Sequence, residues 1–244
     1  YVDTIRSLGE EYRDDIKIYV GFEAEYIKEF YQKQMDMFNK LNCDYLIMGQ
    51  HFTKSEKLGP YSGEQTTERQ RLTNYVDSII EGMATGSYKY LAHPDLINYV
   101  GDDDIYNDEM SRLCNELKEM DIPLEINILG IGEKKHYPNP KFWEIAAKTG
   151  NKVILGLDAH CIRHMGDVSS YKKAMELVKK YAPDVDLHIS VQSGIVNYHS
   201  ANAFYNLGAN RIVTARELSL SEIAEIRAKT PKDLNCDEVN AGNL

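Results

Sequence analysis

The fold is indicated by a short apolar run that leads directly into polar residues: Tyr45-Leu46-Ile47-Met48, followed by Gly49-Gln50-His51. A run of four apolar residues that ends at a glycine predicts a short, buried β-strand. Strands buried on both faces are typical of parallel sheets whose helices cover them. The side chains that follow such strands are the usual place for function in parallel α/β proteins, which makes His51 a candidate functional residue.

Six more runs of this kind occur along the chain, and longer amphipathic segments separate them. The further strand candidates are Ile16–Val20, Tyr90–Ala92, Leu124–Ile128, Val153–Leu155, Leu187–Val191 and Arg211–Thr214. Helices are predicted over Thr67–Met83, Asp108–Met120, Pro140–Lys148 and Ser170–Tyr181. Alternating strands and helices predict an α/β fold with parallel strands, either a (β/α) barrel or a doubly wound sheet.

Polar residues at the strand ends favour the barrel. Each of the first five predicted strands leads into a side chain able to bind metal or a polar substrate: Glu23, His51, His93, Asn127 and the pair Asp158/His160. In a parallel barrel the carboxyl ends of all strands converge on one rim, whereas an open sheet spreads them apart. We therefore expect these side chains to lie close together.

Composition limits the class of protein. The 244 residues are 43% apolar and 27% charged, as expected for a folded globular chain, and the net charge of −10 disfavours nucleic acid and anionic membranes as partners. Carboxylates that bind a metal add to this negative count while creating a site for anions, so a small phosphorylated substrate is compatible with it. No apolar run is long enough to cross a membrane, and four cysteines without a C-x-x-C pair favour a reduced, cytoplasmic protein of undetermined oligomeric state.

Each polar residue has an ordinary interpretation when it is taken alone. Glu23 is compatible with a solvated carboxylate at a strand end, and His51 and His93 with buried core histidines. Asp158 and His160 are two residues apart and share one face if the chain there is extended. Taken together, carboxylate and imidazole groups without thiolates predict a hydrolytic site for zinc, manganese or iron.

Five motifs, in this order, resemble the later motifs of histidinol phosphatases of the polymerase-and-histidinol-phosphatase (PHP) family. They are Gly21-Phe22-Glu23, Gly49-Gln50-His51-Phe52, Ala92-His93-Pro94-Asp95, Glu125-Ile126-Asn127 and Asp158-Ala159-His160. The resemblance assigns residues 1–182 to this family. It implies a distorted seven-stranded (β/α) barrel with up to three divalent metal ions, and hydrolysis of histidinol phosphate in histidine biosynthesis.

The resemblance also implies a role for each matched residue. Glu23 would bridge two metals, His51 and His93 would complete the second, Asp158 would join the first, and His160 would hold the third. Glu23, Asp158 and His160 would thus form the catalytic centre. Members of the family open with a His-x-His strand, but no histidine precedes His51 in this chain. We therefore expect a barrel that is N-terminally truncated, with fewer than three metals and with its activity in question.

Basic residues near the predicted site are candidates for holding a phosphate. The segment 132–137 contains Lys134, Lys135 and His136, and Arg163 follows the Asp158-Ala159-His160 motif. The alternative interpretation of the segment is a solvated basic loop. An acidic run, Asp102-Asp103-Asp104, likewise predicts a solvated loop.

Residues 183–231 are similar to a fragment of the collagenase-like peptidase family, which also has a β/α barrel. The similarity lies in Asp186–Gln192, Leu207–Val213 and Ala215–Leu220, and Ser219 with Glu222 predicts a helix start. No pair of nucleophile and base is recognisable there. Residues 232–244 are predicted to be a frayed tail.

These two resemblances suggest a chimeric gene, a misassembled gene or a designed recombination of barrel pieces, and the sequence does not distinguish among these origins. In each case the two C-terminal β/α units could replace the missing N-terminal ones and complete the barrel. Three functions remain open. The first is a metal-dependent phosphomonoesterase acting as a histidinol-phosphatase. The second is an inactive or partly metal-binding chimeric barrel fragment, and the third is a protein related to the peptidase family.

Overall fold

A computed structural model describes residues 1–13, 18–53, 59–165, 167–181, 187–189, 196–206, 208–214 and 218–237. The chain divides into two compact units, Tyr1–Ala174 and Met175–Leu244. Within the described residues, no helix has both the length and the apolar character needed to span a bilayer.

Unit 1 alternates short strands with helices, as the pattern predicts. Its helices are α1 (Val2–Glu11), α2 (Tyr31–Leu41), α3 (Arg69–Met83), α4 (Asp103–Glu119), α5 (Ile128–Gly132), α6 (Pro140–Thr149) and α7 (Ile162–Met165); α8 (Val168–Tyr181) spans the division between the units. Its strands are β1 (Gly21–Ala24), β2 (Tyr45–Met48), β3 (Leu124–Asn127) and β4 (Val153–Gly156).

The strands of unit 1 are parallel and neighbour one another in chain order. β1 pairs with β2, beginning at Gly21 opposite Tyr45, and β3 pairs with β4, beginning at Leu124 opposite Val153. Leu91 connects the two pairs through single parallel bridges to Met48 and Leu124. The predicted α/β class with parallel strands is confirmed, while closure into a seven-stranded barrel stays a prediction.

Three local predictions for unit 1 need correction. The first strand begins at Gly21 and not within Ile16–Val20, of which residues 16–17 lie outside the described part; the Asp44 carboxylate accepts the Val20 N–H at 2.6 Å. The predicted strand Tyr90–Ala92 is reduced to the bridges of Leu91. The acidic run is not a loop, because Asp102 caps α4 by accepting hydrogen bonds from the backbone N–H groups of Asp104 and Ile105.

The core of unit 1 lies between the strands and the helices that return over them. The largest fully buried side chains belong to the strands, to the connection between α3 and α4, and to α3, α4 and α6: Met48, Leu72, Tyr75, Ile79, Met83, Leu91, Leu96, Met110, Leu113, Leu117, Leu124 and Phe142. The helices α3, α4 and α6 pack side by side. A covered sheet of this kind holds the strand ends, and the side chains that follow them, in one place.

Unit 2 repeats the β/α pattern on a smaller scale. Its strands β5 (Leu187–Ile189), β6 (Ala209–Val213) and β7 (Asn235–Asp237) form a parallel sheet in the order β5-β6-β7, with α9 (Tyr198–Asn206) and α10 (Leu220–Ala228) between them. The predicted strands Leu187–Val191 and Arg211–Thr214 correspond to β5 and β6, although residues 190–191 lie outside the described residues.

The start of α10 follows the predicted capping box. Ser219 accepts a hydrogen bond from the Glu222 N–H, and the Glu222 carboxylate accepts one from the Ser219 N–H. The tail beyond residue 231 was predicted to be frayed, but Asn235–Asp237 pairs with β6. The reason is visible in the core of the unit, where Leu234 is buried against Ile212 and Ile226 and brings the following residues to the sheet.

Candidate metal centre

A polar cavity of about 420 Å³ opens at the carboxyl ends of the strands of unit 1. Six of the nine predicted site residues line it: Glu23, His51, His93, Lys135, Asp158 and His160. These residues are separated by up to 137 positions in the chain, from Glu23 to His160, and the parallel order of the strands brings them together.

Three of these residues converge closely, and we call them the metal triad: Glu23, His51 and His93. Each offers one ligand atom, and the three atoms lie within 4.8 Å of one another. The Glu23 Oε1 atom is 3.1 Å from His93 Nε2 and 3.6 Å from His51 Nε2. Two imidazoles and one carboxylate at this spacing form a donor set suited to a divalent ion such as zinc.

Glycines on the neighbouring strands make room for the carboxylates. A Cβ atom on Gly49, just after β2, would overlap the Glu23 carboxylate, and one on Gly156, at the end of β4, would overlap the carboxylate of Glu125. In both cases the glutamate lies in one strand, and the glycine lies at or just beyond the end of the adjacent strand. Glycine is therefore required here for the close approach of a side chain rather than for a turn.

Two site residues have an unusual backbone conformation. His93 has a φ of 31° and Asp158 a φ of 49°, both in the left-handed region that residues other than glycine seldom occupy. Asp158 lies two residues after the end of β4, and His93 lies two residues after the bridge residue Leu91. Such a conformation costs on the order of 1–3 kcal/mol and is concentrated at functional sites, where the surrounding structure enforces it.

Glu23 and His93 each stabilise the charged form of the other. Burial raises the pKa of Glu23, but its hydrogen bond with His93 and the neighbouring imidazoles lower it more, so the net pKa lies below its usual value. Burial lowers the pKa of His93, but the hydrogen bond with Glu23 raises it more, so the net pKa lies above its usual value. A cation bound at the triad would have to displace the proton from His93 Nε2.

Asp158 and His160 line the opposite side of the cavity, and the buried Glu125 and Asn127 adjoin Asp158 without lining it; we call these four residues the Asp158 side. The Asn127 amide donates to Glu125 Oε1 at 2.8 Å and to Asp158 Oδ2 at 3.1 Å. His160 Nδ1 lies 2.8 Å from the backbone oxygen of Asp158, and 68% of its side chain is exposed. Burial raises the pKa of Glu125 to about 7. Polar groups on this side are thus bonded to one another.

The predicted phosphate-binding residues do not all reach the cavity. Lys135 lines it and forms an ion pair with Glu133 at 2.9 Å. Lys134 is exposed and does not line it, while His136 is turned away because its Nε2 lies 2.7 Å from the backbone oxygen of Leu96. Arg163 lines an adjoining cavity of about 370 Å³, which shares Leu129 and Glu133 with the first.

Sequence reasoning missed several residues of the cavity. Glu25 contacts His51, and the Tyr61 ring stacks on His51 at 6.3 Å. The Tyr137 ring lies 5.9 Å from His93. Glu25 was detectable, since it lies two residues after Glu23 in the same motif, but no local pattern distinguishes the two tyrosines from the other fifteen in the chain.

Two solved structures of histidinol phosphatases share the fold. A histidinol phosphate phosphatase of Lactococcus lactis, solved with zinc, L-histidinol and phosphate, is similar to 75% of this chain and 73% of its own, with a TM-score of 0.58 and 20% identity. A Listeria monocytogenes protein assigned as a histidinol phosphatase is similar over 70% of this chain and 74% of its own, with a TM-score of 0.54 and 16% identity.

The C-terminal part of the chain is similar to other proteins. The model of Peptidase family U32 matches residues 158–240, a range that begins earlier than the sequence resemblance indicated. The tRNA hydroxylation protein P of Helicobacter pylori strain J99 is 44% identical over 57 residues, and that of Haemophilus influenzae is 42% identical over 55 residues. These matches span 23% and 22% of this chain but only 14% and 12% of the relatives.

Both resemblances found in the motifs are therefore present. The chain has the fold of the PHP-family histidinol phosphatases over about three quarters of its length, and from Asp158 onward it is similar to Peptidase family U32.

Proposed function

We propose that residues 1–182 bind a divalent cation through the metal triad and hydrolyse a small phosphate monoester. The supporting observation is the convergence of Glu23, His51 and His93 at the carboxyl ends of neighbouring parallel strands. Histidinol phosphate is the substrate that the Lactococcus lactis structure suggests, because that protein was solved with L-histidinol and phosphate. The finer assignment, a histidinol-phosphatase, rests on this likeness and on the motifs.

The residues fit a divalent metal. His93 is 2% exposed and its Nε2 is aimed at the Glu23 carboxylate, so a ligand pair already exists that a cation can enter. When bound, such an ion supplies a water of lowered pKa and neutralises charge on phosphoryl oxygens. Zinc, manganese and iron all accept this set of nitrogen and oxygen donors.

Other residues of the chain have separate tasks in this proposal. Lys135 faces the cavity and offers a cation to the phosphate oxygens. Asp158 and His160 line the opposite wall, where they would hold any further ion, and the exposed His160 imidazole would be able to donate a proton to the leaving oxygen. Arg163, in the adjoining cavity, would contact the part of the substrate that extends beyond the phosphate.

The alternative is cation binding without catalysis. Among the described residues, the triad is the single group of three whose ligand atoms approach one another within 4.8 Å. The Asp158 carboxylate accepts a hydrogen bond from the Asn127 amide, and His160 Nδ1 contacts the backbone oxygen of Asp158. This alternative predicts metal in the purified protein but no phosphate release. For residues 183–231, the relation to the peptidase family stays a proposal about ancestry and assigns no chemistry.

Metal analysis and phosphate release decide between these functions. The purified protein is expected to contain metal by mass spectrometry and to release phosphate from histidinol phosphate when zinc or manganese is added. Combining Glu23→Ala with His93→Ala should abolish both. A matched control combines Glu64→Ala with His199→Ala, the same residue types at exposed positions outside the triad. Release that survives the first double substitution would show that the site is wrongly assigned.

A further inference from the structure

His51 lies between two carboxylates that contact opposite edges of its ring. The Glu23 Oε1 atom is 3.6 Å from Nε2, and the Glu25 Oε1 atom is 3.3 Å from Nδ1. Glu23 belongs to the metal triad, whereas Glu25 does not. The position of Glu25 suggests a task other than binding the ion directly.

Glu25 is held in place by the backbone that carries His51. Its Oε1 atom accepts hydrogen bonds from the N–H groups of His51 and Phe52, each at 3.1 Å. An oxygen that faces two backbone donors acts as an acceptor, so the third group at this oxygen, His51 Nδ1, is expected to carry a proton. The remaining nitrogen, Nε2, then has its lone pair free.

A buried amide joins the two chain segments that carry these residues. Gln50 is fully buried, its Oε1 accepts the Tyr26 N–H at 3.1 Å, and its Nε2 donates to the backbone oxygens of Tyr26 at 3.1 Å and Phe52 at 2.6 Å. The segment after β1 and the segment after β2 are therefore fixed relative to each other. Glu25 and His51 meet as parts of this fixed arrangement, and not through flexible surface side chains.

His93 provides an internal comparison. Its Nε2 also faces Glu23, but its Nδ1 is buried and has no hydrogen-bond partner within the described part of the chain. Each imidazole of the triad has one nitrogen, Nδ1, that faces away from Glu23. Among the described residues, a carboxylate contacts this nitrogen in His51 but not in His93. A carboxylate in this place fixes the tautomer of a metal-binding histidine and increases its basicity.

We infer that Glu25 is a positioning residue, which keeps the proton of His51 on Nδ1 and directs the Nε2 lone pair into the metal triad. The part of the inference that concerns metal affinity rests on the proposed function. The part that concerns the His51 tautomer rests on the two backbone hydrogen bonds of Glu25 and on its 3.3 Å contact with His51 Nδ1.

The test compares Glu25→Gln with Glu133→Gln in the full chain. Both substitutions remove one negative charge from the same cavity, but Glu133 contacts Lys135 and His164 and not the triad. In metal-free protein at about pH 8, the ¹⁵N NMR shifts of the His51 ring should report the Nδ1–H tautomer in wild type and in Glu133→Gln, and a loss of that preference in Glu25→Gln. Zinc affinity, measured by competition with a chromophoric chelator, should fall about 10–100-fold in Glu25→Gln and much less in Glu133→Gln.

The possible outcomes are distinguishable. An unchanged His51 tautomer in Glu25→Gln, or equal losses of zinc affinity in the two variants, would overturn the inference. If wild type binds no zinc, the proposed function fails, while the NMR comparison still decides the role of Glu25. If Glu25→Gln does not fold, Glu25→Asp replaces it. That variant keeps the charge but shortens its reach, and it should disturb the tautomer in the same direction.

Discussion

The two sides of the cavity use similar residues in opposite ways. On the triad side, Glu23, His51 and His93 direct their ligand atoms toward a common point. On the Asp158 side, a buried asparagine joins Glu125 to Asp158, and His160 turns to its neighbouring backbone. Polar residues at the ends of parallel strands therefore do not all arrange their side chains in the same way: those of the triad converge, while those of the Asp158 side are bonded to one another.

The largest expected difference between the two sides is in metal affinity. His93→Ala removes a buried ligand and should weaken zinc binding at least about 100-fold, beyond the range for residues that only support a ligand. His160→Ala should weaken it less than about tenfold, since this exposed imidazole lies outside the triad. Isothermal titration calorimetry with zinc measures both variants. Equal losses would mean that one metal centre extends across the cavity and that the comparison is wrong.

The buried Glu125 carboxyl and the partly exposed Glu23 carboxyl should affect stability with opposite sign as pH changes. The pKa of Glu125 is raised from 4.5 to about 7, so its ionisation opposes folding; the penalty is absent below about pH 4.5 and complete above about pH 7. In metal-free protein above pH 7, the unfolding free energy of Glu125→Gln should be higher than that of wild type by at most about 3 kcal/mol. This difference should disappear at low pH, where the carboxyl is protonated in the folded and the unfolded protein.

Glu23 should behave in the opposite way. Its pKa is lowered, so the ionised form contributes stability above about pH 4.5 that is lost as pH falls through the lowered pKa. Glu23→Gln should accordingly be less stable than wild type above pH 4.5. Urea denaturation between pH 3 and 9 checks both variants. Differences of the same sign would show that the two sides do not differ electrostatically.

Alanine substitutions of the two glycines beside the carboxylates should have smaller effects on stability and zinc affinity. Gly49→Ala and Gly156→Ala each introduce a Cβ atom that overlaps a glutamate carboxylate, and each should cost about 1–3 kcal/mol of unfolding free energy. Zinc affinity should fall in Gly49→Ala, because Glu23 must move, and stay unchanged in Gly156→Ala. Gly9→Ala in α1, where a Cβ atom finds only an ordinary contact, is the control and should be neutral or slightly stabilising. A loss of zinc affinity in Gly156→Ala would show that the two sides are coupled.

Much of the fold was predictable because its strands are short, apolar and bounded by polar residues. β2 was predicted with its observed bounds, and β3 and β4 within one residue. β1 was misplaced because the apolar run precedes the pairing, which starts only where Gly21 meets Tyr45. β7 was missed because Asn235-Cys236-Asp237 has no strand-like pattern of its own and is held by its pairing with β6.

The amino-acid sequence by itself determined the alternation of strands and helices and the order of the polar motifs, and it led to the expectation that Glu23, His51, His93, Asn127 and the pair Asp158/His160 would all lie close together. These features follow from the hydrophobic period, which is a local property of the chain, and from the parallel order that alternating strands and helices imply. The tertiary structure decided which of these side chains converge as the metal triad and which turn to other partners. That choice depends on competing partners distant in sequence, such as Asn127 for Asp158 and Leu96 for His136, and a hydrogen bond between distant residues leaves no mark in either local pattern.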